Sequence, residues 1–250
     1  MIGTSTGPAE IITDAGRCYL KALGNKEGPH ALAADWIGTT SADWFGLRTF
    51  AVAKLVVSTE DEIELGHKRK ALPGTAIASR AERGSPWNGS VEELMAATNA
   101  ADVSRIVVLD TWLLNCDRHP ADPAARKPNH DNVFLSAEGA PKGRFLLTAM
   151  DHTHCFSCGR DLGPRLSQID NVKDARIYGR FPEFEEFLDR ELVQTAAEEL
   201  GTISRSFVEE TVNDIADDWE VSSAGRAALI ELIFGRADFV SGTIVQTMFP

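Results

Sequence analysis

The sequence predicts a segregated α+β fold, a small β-rich lobe followed by a larger helical one with a cleft between. Three observations predict it. Short apolar, β-favouring runs crowd the first third of the chain, namely EIIT, RCYLKAL, FAVAKLVVS and TAIASR. Longer segments with apolar residues at helical spacing fill the remainder. Strands and helices are therefore separated along the chain rather than alternating as in βαβ units.

Composition narrows the function classes. The chain has 250 residues, 43% of them hydrophobic and 25% charged, enough to bury a sizeable core. Its formal net charge of -12 argues against non-specific binding to nucleic acid or an anionic membrane, which needs clustered Lys and Arg. No apolar run approaches the roughly 20 residues of a membrane span. MIGTSTGPAE lacks the charged-then-apolar pattern of a secretory signal. A cytoplasmic location is expected, with Cys18, Cys116, Cys155 and Cys158 as free thiols.

The elements follow in order. Residues 3–9, GTSTGPA, read as a glycine-bearing loop. The bare backbone of Gly3 and Gly7 suits phosphate oxygens, an unanchored chain end being the plainer alternative. EIIT and RCYLKAL form a hairpin around Asp14, Ala15 and Gly16. Alternation puts Tyr19 and Lys21 on one face and Cys18, Leu20 and Ala22 on the other. An inward Lys21 is the natural partner of nucleotide phosphates; an outward one is merely solvated. ALAADWIGTTSADWFGL is a helix turning Leu32, Trp36 and Ile37 to the core. Its Asp35 is either a solvated acid or an ion-pair partner that steadies Lys21. FAVAKLVVS is a strand, residues 58–74 a charged surface loop or edge, and TAIASR another strand. AERGSPWNGS reads as a turn-rich connector. It separates an N-lobe, 1–83, from a C-lobe, 84–250.

In the C-lobe, Ser90 and Glu93 suggest a capping box before VEELMAATN. ADVSRIVVLDTWLLN is the next helix, then a polar proline-bearing loop, then paired strands NVFLS and RFLLTAM. Pro182 suits the first turn of a helix through residue 200. Two more helices, over 204–219 and 224–246, complete the chain. Phe207, Val208, Val212, Ile215, Leu229, Ile230, Leu232 and Ile233 are expected core, and His67 and His130 solvated.

The chemistry concentrates at LDTWLLNCDRH, where an apolar helix empties into Asn115, Asp117, Arg118 and His119. A rigid element carrying a dense polar tip is how reactive groups are mounted. Asn132 opens the next strand and Asp151 ends the one after. Asp, then Asn, then Asp in this setting is a phosphotransferase order. Asp117 orients or accepts the hydroxyl proton, while Asn132 and Asp151 offer oxygen ligands to Mg²⁺. The plainer readings are a helix-end ion pair for Asp117 and Arg118, and a turn-initiating Asp151. His152, His154, Cys155 and Cys158 hold metal-friendly residues, but without a second Cys pair zinc is the weaker reading.

On these residues the chain resembles the HipA-like kinases, especially short members with only the kinase core. YLKALGN with LAADWIGTTSADWFGL resembles that family's lysine strand and helix, LDTWLLNCDRH its catalytic loop, NVFL its metal-binding asparagine strand and AMDHTHCF its metal-aspartate segment. The resemblance implies a bilobal protein-kinase-like fold, ATP and Mg²⁺ as cofactors, and transfer to a protein Ser or Thr or a small-molecule hydroxyl. An antitoxin-like or regulatory partner is also implied. Lys21 would hold phosphates, Asp117 would act as base with Asn115, Arg118 and His119 about it, and Asn132 and Asp151 would bind metal. The backbone near Ala81 and Glu82 would meet adenine. Asp35 matches an acid that is more often Glu. The gap from His119 to Asn132 exceeds the family spacing, so Asn129 or Asp122 is the alternative second ligand. A nucleotide-binding pseudokinase is the other reading of the same features.

Overall fold

A computed structural model describes residues 7–250. The N-lobe is built from β1 (Ala9–Thr13), β2 (Gly16–Lys21), α1 (Pro29–Trp44), β3 (Val52–Val57), the short β4 (Glu64–Leu65) and β5 (Arg69–Lys70), and β6 (Gly74–Arg80). Four strands form one antiparallel sheet in the order β1-β2-β6-β3. The period-2 alternation sets its two faces. Cys18, Leu20 and Ala22 bury with Ala76 and Ala78 under Leu65 and Ala71. Tyr19 and Lys21 turn to the opposite face, where the cleft lies. The charged 58–74 stretch thus contributes a two-residue ladder, β4 with β5, that covers the sheet. Pro29 opens α1 at a position that needs no N–H donor.

The C-lobe continues with β7 (Gly84–Pro86), α2 (Val91–Ala96), α3 (Val103–Leu113), β8 (Val133–Ser136) and β9 (Leu146–Ala149). β7 falls inside the stretch expected to be a connector. Its three residues pair with β8, making a sheet of order β7-β8-β9. A strand so short carries no periodicity to read. Ser90 caps α2 by accepting from the Glu93 N–H at 3.3 Å. Glu93 returns its carboxylate to the Asn88 N–H, 2.9 Å, rather than to Ser90.

Four helices follow: α4 (Ile169–Val172), α5 (Arg190–Leu200), α6 (Arg205–Asn213) and α7 (Ser223–Met248). The helix expected to run from Pro182 to 200 is broken. Pro182 instead opens a 3₁₀ turn ending at Phe184. Phe181 and Phe184 are fully buried against Trp87, and this aromatic anchor outweighs continuation of the helix. α5 begins afresh at Asp189, whose carboxylate accepts from the N–H groups of Glu191 and Leu192. α6 also ends early. Trp219 lies in a separate 3₁₀ turn and donates from Nε1 to the Thr75 carbonyl, 2.8 Å, tying the C-terminal half to β6.

Val208, Val212, Ile215, Leu229, Leu232 and Ile233 are buried, with Phe207 and Ile230 packed partly buried against them. α7 is also a polar brace. Its Arg236 is fully buried and donates to the carbonyls of Thr111 and Trp112, at the end of α3, and of Asn171 in α4. Trp112 returns an Nε1 bond to Ile233, 2.9 Å. Among the described residues no helix is long and apolar enough to cross a membrane.

Candidate active site

α3 delivers the polar cluster by ending abruptly. Leu114 takes a left-handed conformation, φ 53°, which throws the next residues off the helix axis. Asn115 then secures the turn, donating to Asp110 at 3.0 Å and accepting from the Asp117 N–H at 3.2 Å. Arg118 is fully buried, paired with Asp110 and donating to the carbonyls of Asn132 and Met150. Burial pushes the Asp110 carboxyl up, against the opposing pull of Arg118. Asn115 and Arg118 therefore hold the loop and both later segments in register. His119 is half-buried and lies edge-on to Phe181, 5.1 Å between rings. Burial lowers its pKa. His130, expected to be solvated, also stacks on Phe181, at 4.8 Å.

The remaining residues converge. Lys21 Nζ lies 2.9 Å from Asp35 and 3.0 Å from Asp151, all three buried. The shorter acid at position 35 thus reaches the lysine. Asp35 also accepts from the His152 N–H at 2.8 Å, which fixes the segment after β9 to α1. Gly38, one turn along α1, lets this happen, since a Cβ there would sit 2.3 Å from that of His152. Asn132 is fully buried and donates to Asp117 at 2.8 Å and, at 3.5 Å, to the Asp151 carbonyl. Asn129 donates to Asp117 at 3.1 Å and to Asn132 at 2.9 Å. Both asparagines of the sequence alternative are therefore at the site.

Electrostatics follow from this geometry. Burial alone would lower the Lys21 pKa, but the Asp151 and Asp35 carboxylates outweigh it and hold it above the ordinary lysine range. Burial opposes ionisation of Asp151, yet Lys21 and the Thr153 hydroxyl bring it down to about 2. His152 is driven well below its usual value by burial, with Arg118 and Lys21 adding to the effect.

Next to this cluster lies a cleft of about 220 Å³. Lys21, Asp35 and Asp151 line its inner end, Ala81, Glu82 and Phe134 its outer one. Glu82 is paired with Arg48, 2.7 Å, and accepts from Ser136. The Ala81 N–H is already given to the Arg17 carbonyl, 2.9 Å. Gly3 lies outside the described residues. Gly7 packs its bare Cα on Gly66, and its neighbour Pro8 is the residue that reaches the cleft.

Three features went unread in the sequence. Arg126, in the extended loop before β8, pairs with Asp117. His154 stands between Asp117, 3.8 Å, and Glu27, 3.7 Å. Cys116 and Cys158 form a disulfide, Cα atoms 5.7 Å apart, so the expectation of four free thiols holds only for Cys18 and Cys155. The fold brings them together because Phe156 donates its N–H to the Leu113 carbonyl, 2.7 Å, laying the segment on the end of α3. Burial pushes the Cys155 thiol well up, which keeps it protonated and inert.

Among the described residues no group of three or more His, Cys, Asp and Glu could hold a metal ion. The zinc reading of His152 to Cys158 therefore has no donor set. Asp151 and Asn132 are oxygen donors too few to enclose an ion, which suits Mg²⁺ completed by phosphate oxygens and water.

No family model matches the sequence. No curated protein matches it either. Among solved structures, the Helicobacter pylori proinflammatory kinase CtkA superposes with a TM-score of 0.59 at 13% identity, over 98% of this chain and 93% of that one. The chain has a kinase-like fold, a small antiparallel-sheet lobe on a helical lobe.

Proposed function

We propose that this protein is an ATP- and Mg²⁺-dependent phosphotransferase, most simply a HipA-like protein serine/threonine kinase. One observation carries the reading. Lys21, Asp35, Asp117, Asn132 and Asp151, dispersed along the chain, form one bonded cluster beside the cleft. The kinase-like fold supports the reading.

Phosphoryl transfer is mainly a matter of positioning and charge. Lys21, steadied by Asp35, would hold the α and β phosphates. Phe134 would lie along the base, and main-chain groups of Ala81 and Glu82 would bond its edge. With its N–H engaged, Ala81 can offer only its carbonyl. Asp151 and Asn132 would hold Mg²⁺, which would neutralise phosphate charge. Asp117, held by Asn129 and Asn132, would accept the proton of a protein or small-molecule hydroxyl. An antitoxin-like or regulatory partner belongs to the proposal through the HipA-like resemblance alone.

The test is labelled ATP with Mg²⁺, comparing wild type with Asp117→Asn and Asp151→Asn. Transfer by wild type and its fall to a small residual rate in both variants supports the reading; equal labelling in all three rejects the catalytic assignment.

A second reading, nucleotide binding without turnover, is favoured by the Asp117 carboxylate being held on one oxygen by Arg126 and on the other by two amides. Thermal stabilisation by ATP and Mg²⁺ with no release of ADP would select it.

A further inference from the structure

Arg126 belongs to the loop that lengthens the interval between His119 and Asn132. The loop is folded back on itself. The Ala124 N–H bonds the Asp122 carboxylate at 3.0 Å, and the Ala125 N–H the Asp122 carbonyl at 3.0 Å. The Asn129 N–H bonds the Arg118 carbonyl at 2.8 Å. This returns Arg126 over the catalytic turn. There its guanidinium bonds Asp117 Oδ1 and, at 3.8 Å, the Cys116 sulfur, with 35% of the side chain still exposed.

Two other cations of the cluster are already engaged by carboxylates. Lys21 is held between two carboxylates, and Arg118 is sealed against Asp110. Asp117 Oδ2 is taken by the amides of Asn129 and Asn132. An incoming hydroxyl must therefore reach Asp117 through Oδ1, where Arg126 now sits. A terminal phosphoryl group in line with that hydroxyl carries more negative charge than a carboxylate and matches the guanidinium fork.

Resting on the phosphotransferase reading, we infer that Arg126 is a catalytic residue supplied by this loop. It passes from Asp117 Oδ1 to the non-bridging oxygens of the transferring phosphoryl group as the acceptor hydroxyl enters. In the step, the acceptor oxygen bonds the γ-phosphorus while the bond from that phosphorus to the β,γ-bridging oxygen breaks. The electron pair leaves with ADP, and the hydroxyl proton passes to the freed Asp117 Oδ1. Arg126 stabilises the charge spread over the transferring group.

The experiment is a double-variant cycle on the full chain, measuring release of ADP and transfer of labelled phosphate with Mg²⁺-ATP. Arg126→Ala is expected to lower kcat by about 100-fold or more, with KM for ATP within about 3-fold, the pattern of an interaction made in the transition state. Arg126→Lys recovers part of the loss. In an Asp117→Asn background, where the charged pair between Arg126 and position 117 is already gone, Arg126→Ala still slows the residual rate. Thermal unfolding of each variant reports that the fold is kept, and Arg126→Gln replaces Ala should that variant fail to fold. With an active wild type, an Arg126→Ala enzyme as fast or faster overturns the inference alone, marking Arg126 as a plug. A double variant no slower than Asp117→Asn also overturns it, leaving Arg126 a positioning residue. A wild type that binds nucleotide but transfers nothing rejects the phosphotransferase reading itself.

Discussion

The Lys21 ammonium is shared between Asp35, 2.9 Å away on α1, and Asp151, 3.0 Å away just past β9. One buried cation thus joins the N-lobe sheet, its helix and the Asp151 segment. Removing it strands two largely buried carboxylates at the wall of the cleft. Lys21→Met is expected to lose about 3–5 kcal/mol of unfolding free energy, the cost of breaking a buried pair from one side. Urea titration at neutral pH checks this. A loss below about 1 kcal/mol would mean the carboxylates find other partners.

Acid should weaken the fold in two stages. Below the ordinary histidine pKa the unfolded chain takes up a proton that buried His152 refuses, so stability falls as pH drops from about 7 toward 5, at up to about 1.4 kcal/mol per pH unit. Asp151 acts lower. Its folded pKa lies at about 2 against a usual 3.8, so its contribution is whole above that usual value and drains away as pH falls toward 2. Denaturant midpoints across pH 3 to 8 test both stages. His152→Asn should reduce the upper one, leaving the part that His119 carries, and leave the lower one in place.

Gly38 is where α1 and the Asp151–His152 segment touch. A methyl group there would meet the His152 Cβ at 2.3 Å. Gly38→Ala gains helix propensity, worth about 1 kcal/mol. It should nonetheless destabilise the protein by about 1–3 kcal/mol through overpacking. Thermal unfolding gives the sign: a higher Tm would show that the segment can move aside at no cost.

Much of the cluster was legible in the sequence, for identifiable reasons. Asp117, Asn132 and Asp151 announce themselves because each follows or opens an apolar run that must be buried. Lys21 and Asp35 are readable in part, since alternation and helical spacing put them on faces without saying which face turns inward. Arg126 could not be read. Its loop has no periodicity, and its place depends on turn bonds such as Asp122 to Ala124. The Cys116–Cys158 pair needed the tertiary path that lays Phe156 on Leu113. His130 misled because charged neighbours suggested water, whereas Phe181 recruits its ring as it does that of His119.

The disulfide links the turn after α3 to the segment following Asp151 across a separation of 42 residues. Closing a loop of that size stabilises by about 3–4 kcal/mol in the chain-entropy picture. A phosphine reductant, or Cys116→Ser, should therefore lower Tm by several degrees. Peptide mapping without reduction should recover the cross-linked pair. Identical melting with and without reductant would show the link to be energetically idle.

Arg236 gives the protein an order of assembly. The carbonyls it gathers, at the end of α3 and in α4, belong to stretches translated long before it. During synthesis those oxygens must wait, hydrated, for a guanidinium still to be made. The end of α3 therefore gains this brace only once α7 has emerged from the ribosome. Nascent chains stalled before α7 should carry all five clustered side chains on an α3 whose end is still unbraced.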